Sequence, residues 1–262
     1  MTKYLRLLQY ELKNILRDSM TKILLVYPIL IIVIGSFILP RLLDQFGGET
    51  SGTRVAALIM IILFASIAPF LTAALLGFNL LDNRDDNSLD TIRVTPISLK
   101  GYIIFKSIYA YVLSVNASFF VIFGTKHLSG DGYTIMGQNL FDEFTAGYIF
   151  VYALVAGLFT PVFALLLAAF SKNKIEGFAF MKSAGMIIVL PALLVIERMQ
   201  DVKQYILGIV PIFWPVKGLL TSANLFEHSS NLPVWLYMLV GTLYMTILIR
   251  LFYRIFETRI QT

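Results

Sequence analysis

Six stretches of this chain stay apolar for long enough to cross a lipid bilayer: residues 23–39, 55–81, 102–124, 147–170, 178–196 and 234–249. A hydrocarbon core about 30 Å thick needs roughly 20 mostly apolar residues per helical crossing. Inside lipid, the backbone N–H and C=O groups must also be satisfied within the protein. The pattern therefore predicts an all-α, polytopic membrane protein with six transmembrane helices. Composition agrees, since 58% of the 262 residues are hydrophobic and 14% are charged, too apolar for a soluble globular domain. Almost no chain is left over, so 1–262 reads as a single transmembrane domain. The first run follows five basic residues and shows no small-residue cleavage site, which predicts a retained helix and not a cleaved signal.

Charge distribution sets the expected orientation. With the N-terminus in the cytoplasm, 15 of the 21 Lys and Arg residues fall on that side, and Arg41, Arg54, Lys126, Arg198, Lys203 and Lys217 fall outside. The positive-inside rule then puts both termini in the cytoplasm of a multi-pass protein of the inner or cytoplasmic membrane. A net charge of +5 could suggest a nucleic-acid partner, but in a polytopic chain its distribution matters more than its total, and no nucleic-acid partner is expected. With no Cys, disulfides and thiolate metal sites are excluded.

Residues 1–22 carry Leu5, Leu8, Leu12, Ile15 and Leu16 at helical spacing, with Lys3, Arg6, Lys13 and Arg17 mostly opposite. That pattern predicts an amphipathic elbow helix on the membrane surface; a basic anchor that only sets topology is the alternative. Pro69, Pro161 and Pro191 are placed to kink spans two, four and five. The outer loops, 40–54 and 125–146, are too short for a receptor domain. Residues 204–226 are apolar but broken by Pro211 and Pro215. They predict an outer re-entrant element or a surface-lying helical pair, with Trp214 at the headgroup boundary.

The chemistry is sparse. An ion-driven transporter needs ionisable relays within its spans, and here the span centres are nearly free of charge. Lys106 and Lys182 lie near enough to the inner ends to snorkel. Ser114, Asn116 and Ser118 form a polar group on span three, read as helix packing with a substrate site as the alternative. There is no H-E-x-x-H and no G-x-S-x-G, and His127 and His228 fall in outer loops. The chain is therefore not expected to be an enzyme or to bind a metal. Without G-x-x-x-x-G-K-[ST], any ATP-driven work would need a separate chain.

Residues 82–98 stand apart, with Asp82, Arg84, Asp85, Asp86, Asp90 and Arg93 between two apolar runs. This loop joins the inner ends of spans two and three. Asn87 or Ser88 can cap a short helix that ends before Pro96. Its charges, interleaved with Leu89, Ile92 and Val94, suit docking to a protein groove; a plain solvated loop is the alternative. On span two, Phe64, Leu71 and Phe78 share a face at seven-residue spacing. On span five, Met181, Gly185 and Met186 offer a soft, small-residue surface. These six residues would line a path for an apolar or amphipathic substrate, or else simply pack helices.

The stretch LLDNRDDNSLDTIRVTPISLKGYIIFKSIYA, residues 80–110, resembles the cytoplasmic loop of permease subunits in the type 2 exporter family of ATP-binding cassette transporters. That family's pattern is an acidic and basic cluster, then Gly-Thr-Leu, then Thr-Pro-Leu-Ser and a following Lys. Asp82, Arg84 and Asp85 match the cluster, Ser88 and Leu89 stand for Thr-Leu, and Thr95, Pro96, Ile97 and Ser98 match nearly in full. Lys106 fits the later Lys, while Asn83 and Asn87 depart from the usual acid and Gly. The elbow helix, the six spans and the broken element with VPIFWP extend the likeness along the chain.

The resemblance implies that the loop helix couples this chain to a separate ATPase subunit, through Asp85, Asp86, Ser88, Leu89, Asp90, Ile92 and Arg93. It also implies a bacterial exporter built from two permease chains and two ATPases, with spans two and five at the permease interface and ATP and Mg bound by the partner. Surrounding lipid is the remaining partner. The expected function is outward movement of a drug, lipid or peptide. The competing class is a non-transport recruitment or immunity factor that uses the same charged loop.

Overall fold

The computed structural model describes residues 19–45, 50–86, 98–225 and 230–261. Six helices among them are long and apolar enough to cross a membrane, as the hydropathy pattern predicts. The expected elbow helix, apart from residues 19–22, lies outside the described residues, as do 87–97 of the charged loop.

Span one comprises α1 (Ser19–Val33), a π turn (Ile34–Ile38) and α2 (Leu39–Gln45). Span two is α3 (Ser51–Asp85), capped by Thr50 through its side chain to the Thr53 N–H. Span three is α4 (Leu99–Leu128), capped by Ser98 to the Gly101 N–H. His127, expected in a loop, occupies the last turn of α4, because the helix runs four residues past Gly124 before Ser129 ends it. A small hairpin, β1 (Thr134–Ile135) and β2 (Gln138–Asn139), then leads into span four.

Span four is split into α5 (Ala146–Gly157) and α6 (Phe159–Phe170). The break at Leu158 sits one turn before Pro161, whose ring removes a donor and crowds the preceding carbonyl. Span five begins as α7 (Lys174–Ile188) and passes at Pro191 into a 3-10 helix, Leu190–Val195. Span two, in contrast, continues as one α-helix through Pro69. A proline at this position cannot donate to the carbonyl of Ala65 four residues earlier, and the Tyr152 hydroxyl of span four donates to that carbonyl instead. Tyr27 of span one donates to the Ala68 carbonyl at 2.7 Å. Lipid offers no hydrogen-bond partner, so a neighbouring span must satisfy the Ala65 carbonyl freed in this way.

Span two is the centre of the bundle, touching spans one, three, four and five, while span six, α9 (Val234–Gln261), packs on span four. Two close approaches depend on glycine. A Cβ on Gly35 would stand 2.8 Å from Phe64, and one on Gly77 would stand 2.5 Å from Leu167 of span four. The broken element before span six is a 3-10 helix (Val202–Ile209) turning into α8 (Phe213–Ser222), which packs against α5 and α9. Trp214 folds back within this pair, donating to the Gly208 carbonyl at 2.9 Å.

Candidate functional site

The last turns of α3 carry the charged motif, and spans three, four and five are fastened there. Arg84 reaches across to the end of α6, donating to the carbonyls of Ala168 at 3.0 Å, Ser171 at 2.5 Å and Lys172 at 2.7 Å. The final carbonyls of a helix have no partner within it and carry its negative pole, so a planar guanidinium suits this position. Asp82 pairs with Lys174 at the start of α7, 2.6 Å away. That start is itself capped, with Asn173 accepting from the Glu176 N–H and Glu176 accepting from the Lys172 N–H.

On the span-three side, Asn83 donates to the Tyr102 hydroxyl at 2.9 Å and to Asn79 at 3.2 Å. Lys106 donates to the same Asn79 oxygen at 2.8 Å and lies 5.5 Å from the centre of the Tyr102 ring. The expectation that Lys106 snorkels to the interface is therefore corrected. Its side chain is buried, because Asn79 supplies inside the bundle the acceptor that it would otherwise seek in water.

The structure also corrects the boundary of the charged loop. Asp82 to Asp85 are the end of helix α3 and not a loop, with Asp82, Asn83 and Arg84 held by partners on spans five, three and four. Asp85 and Asp86 are exposed where the helix ends. Ser88, Leu89, Asp90, Ile92 and Arg93 lie outside the described residues. Two elements of the motif are thus separated in space: Asp82, Asn83 and Arg84 hold spans together, while Asp85 and Asp86 face outward.

The six residues considered for a substrate path divide among different neighbours. Phe64 is buried against Gly35 of span one, and Phe78 is buried against Phe178 of span five, ring centroids 4.4 Å apart. Leu71, Met181 and Gly185 are half-buried, and Met186 is 75% exposed. Span five is the least covered of the helices around span two, with Phe178, Ile187, Val189 and Leu190 also open. On span three, Ser114 and Ser118 turn inward and Asn116 turns outward, as a 3.6-residue period requires of positions two apart, so these three do not form one group.

Sequence reasoning missed Lys217. Counted among the outer cations, it is fully buried on α8, and burial pulls its ammonium down to about 8. Its setting in FWPVKGLL, a cation flanked on both sides by apolar residues, was the available signal.

Comparison with known proteins identifies a family of membrane permeases. The model of the family described as fluoroquinolones export permease protein Rv2686c-like matches residues 11–253. Two curated relatives are the fluoroquinolones export permease proteins MT2760 and Rv2686c of Mycobacterium tuberculosis, strains CDC 1551 / Oshkosh and ATCC 25618 / H37Rv. Each is 24% identical over 254 residues, covering 95% of this chain and 92% of the relative. No solved structure matches the chain significantly.

Proposed function

Because the chain belongs to the Rv2686c-like family of fluoroquinolone export permeases, we propose that it is the transmembrane subunit of an ATP-driven drug exporter. ATP and Mg are bound by a separate ATPase subunit, which docks on the cytoplasmic loop that starts at Asp85. Both termini share that compartment. A second permease chain covers the open face of span five, and the transported drug is apolar or amphipathic. Fluoroquinolones, the class named for the relatives, are the first substrates to test.

The observation that carries this reading is the end of α3, where one short segment is bolted to spans three, four and five and immediately exposes two acids. ATP-bound and ATP-free partners prefer different permease conformations, and docking on the loop shifts the population between them. Because Arg84 and Asp82 tie α3 to the ends of α6 and α7, a push on the loop moves those helices together and is not absorbed by a slack linker.

The test is co-purification of the solubilised chain from its host beside the variant Leu89→Asp/Ile92→Asp. Recovery of a nucleotide-binding subunit with the unaltered chain, lost in the variant while the spans stay folded, is the expected result. Absence of any ATPase with either form would overturn the reading.

A further inference from the structure

At the end of the bundle that carries the charged motif, a cavity of about 650 Å³ opens between spans three, four and six, with no residue of span five in its lining. Its walls are apolar, with Ile104 and Ile108 of α4, Leu165 of α6 and Ile249 of α9, and its mouth holds Lys100, Arg250, Arg254 and Glu257. Lys100 and Tyr111 mark its ends on span three. At 1.5 Å per residue they stand about 16 Å apart along the helix axis, roughly half the 30 Å hydrocarbon core. The groove is therefore one leaflet deep.

The mouth has an excess of positive charge. Among the described residues, Lys100, Arg250 and Arg254 are exposed, and none has a side-chain ion pair or hydrogen bond. The single acid, Glu257, accepts a long hydrogen bond from Tyr253 at 3.5 Å. Three cations at the rim of an apolar slot of leaflet depth match a molecule with an anionic head and a hydrocarbon tail. We propose that an anionic phospholipid occupies this groove, its phosphate among Lys100, Arg250 and Arg254 and an acyl chain along Ile104, Ile108 and Leu165. No residue of span five lines the groove, so a second permease chain seated on the open face of span five need not occupy it. Bound in this way, the lipid braces span six against span three immediately after the loop enters α4 at Ser98, and the inference stands whether or not the chain exports drugs.

Native mass spectrometry of the full chain, titrated with phosphatidylglycerol or with phosphatidylcholine of the same acyl chains, tests the proposal. Phosphatidylglycerol is expected to bind on the order of tenfold more tightly, given the attraction of each basic residue for anionic lipid. In Arg250→Gln/Arg254→Gln the two lipids should bind about equally. Ile104→Trp, which fills the wall, should weaken both. Lys172→Gln/Lys182→Gln, which removes cations elsewhere on the chain, should leave the preference intact. Equal binding of both lipids by the unaltered protein would overturn the proposal and leave the groove to a segment of the chain or to another protein. So would a preference that survives Arg250→Gln/Arg254→Gln, or one lost equally in Lys172→Gln/Lys182→Gln, which would mark general attraction at the membrane surface.

Discussion

Two charged residues two positions apart, Asp82 and Arg84, should respond very differently to removal. Arg84 donates three hydrogen bonds to carbonyls at the end of α6, and a hydrogen bond involving a charged group contributes about 1.5–3 kcal/mol. The three share one half-buried cation and do not add, so Arg84→Met should cost roughly 2–4 kcal/mol, the helix-pole attraction included. Arg84→Lys keeps the charge but loses the planar fork, and should recover about half of that. The Asp82 pair is different, its partners Lys174 and Asp82 being 47% and 37% exposed. Asp82→Asn should cost only about 0–1 kcal/mol. Thermal melting of the helical signal in mild detergent reads the order, with Arg84→Met lowest, Arg84→Lys between, and Asp82→Asn near the unaltered protein. If Asp82→Asn falls as far as Arg84→Met, or Arg84→Lys melts with the unaltered protein, the fork at the end of α6 is not what holds spans two and four together.

Gly77→Val should destabilise by about 1–3 kcal/mol through overpacking, since its Cβ would meet Leu167 and the Ala164 backbone; adding Leu167→Ala should restore part of the loss in the same melting assay. Lys217, held down to about 8 in the folded chain from an ordinary 10.5, gives a pH signature. Above pH 8 the unfolded chain keeps a proton that the folded one has released, so stability should rise with pH between about 8 and 10.5, by roughly 3 kcal/mol in full. Melting followed from pH 8 to 9.5 should show the rise in the unaltered protein and a flatter profile in Lys217→Met; parallel profiles would refute it.

The spans were legible because apolar runs of bilayer length leave a chain few alternatives. Their ends were not. Reading outward from the apolar run, span two stops at Leu81, yet α3 continues to Asp85, since Asp82 and Arg84 find partners some 90 residues later, on α6 and α7. Hydropathy describes a residue's own preference and carries nothing about a carbonyl exposed at the end of another helix. Lys106 fails to read for the same reason, its acceptor lying 27 residues earlier on span two. The division of Ser114 and Ser118 from Asn116, by contrast, was already present in their spacing. The proline breaks were only half legible. Pro161 and Pro191 interrupt their helices, while Pro69 does not, because Tyr152 supplies a donor for the carbonyl that Pro69 leaves free.

A charge in a chain this apolar is costly unless something answers it, and the motif divides on that basis. Asp82 and Arg84 are answered within the bundle, whereas Asp85 and Asp86 at the same helix end are exposed. If the second pair serves recognition, their neutralisation should leave the fold unchanged and the partner lost. Asp85→Asn/Asp86→Asn is therefore expected to melt within the small range of exposed surface changes, about 0.5 kcal/mol, while recovery of the ATPase subunit drops several-fold. A salt series makes the test sharper. Attraction between exposed charges fades once the Debye length falls below their separation, near 8 Å at physiological ionic strength. Recovery with the unaltered chain should consequently decline as salt is raised, and recovery with the double variant should be low and nearly flat. A double variant that melts early, or one that retains both the ATPase and its salt dependence, would return these acids to the scaffold and move the docking contacts deeper into residues 87–97.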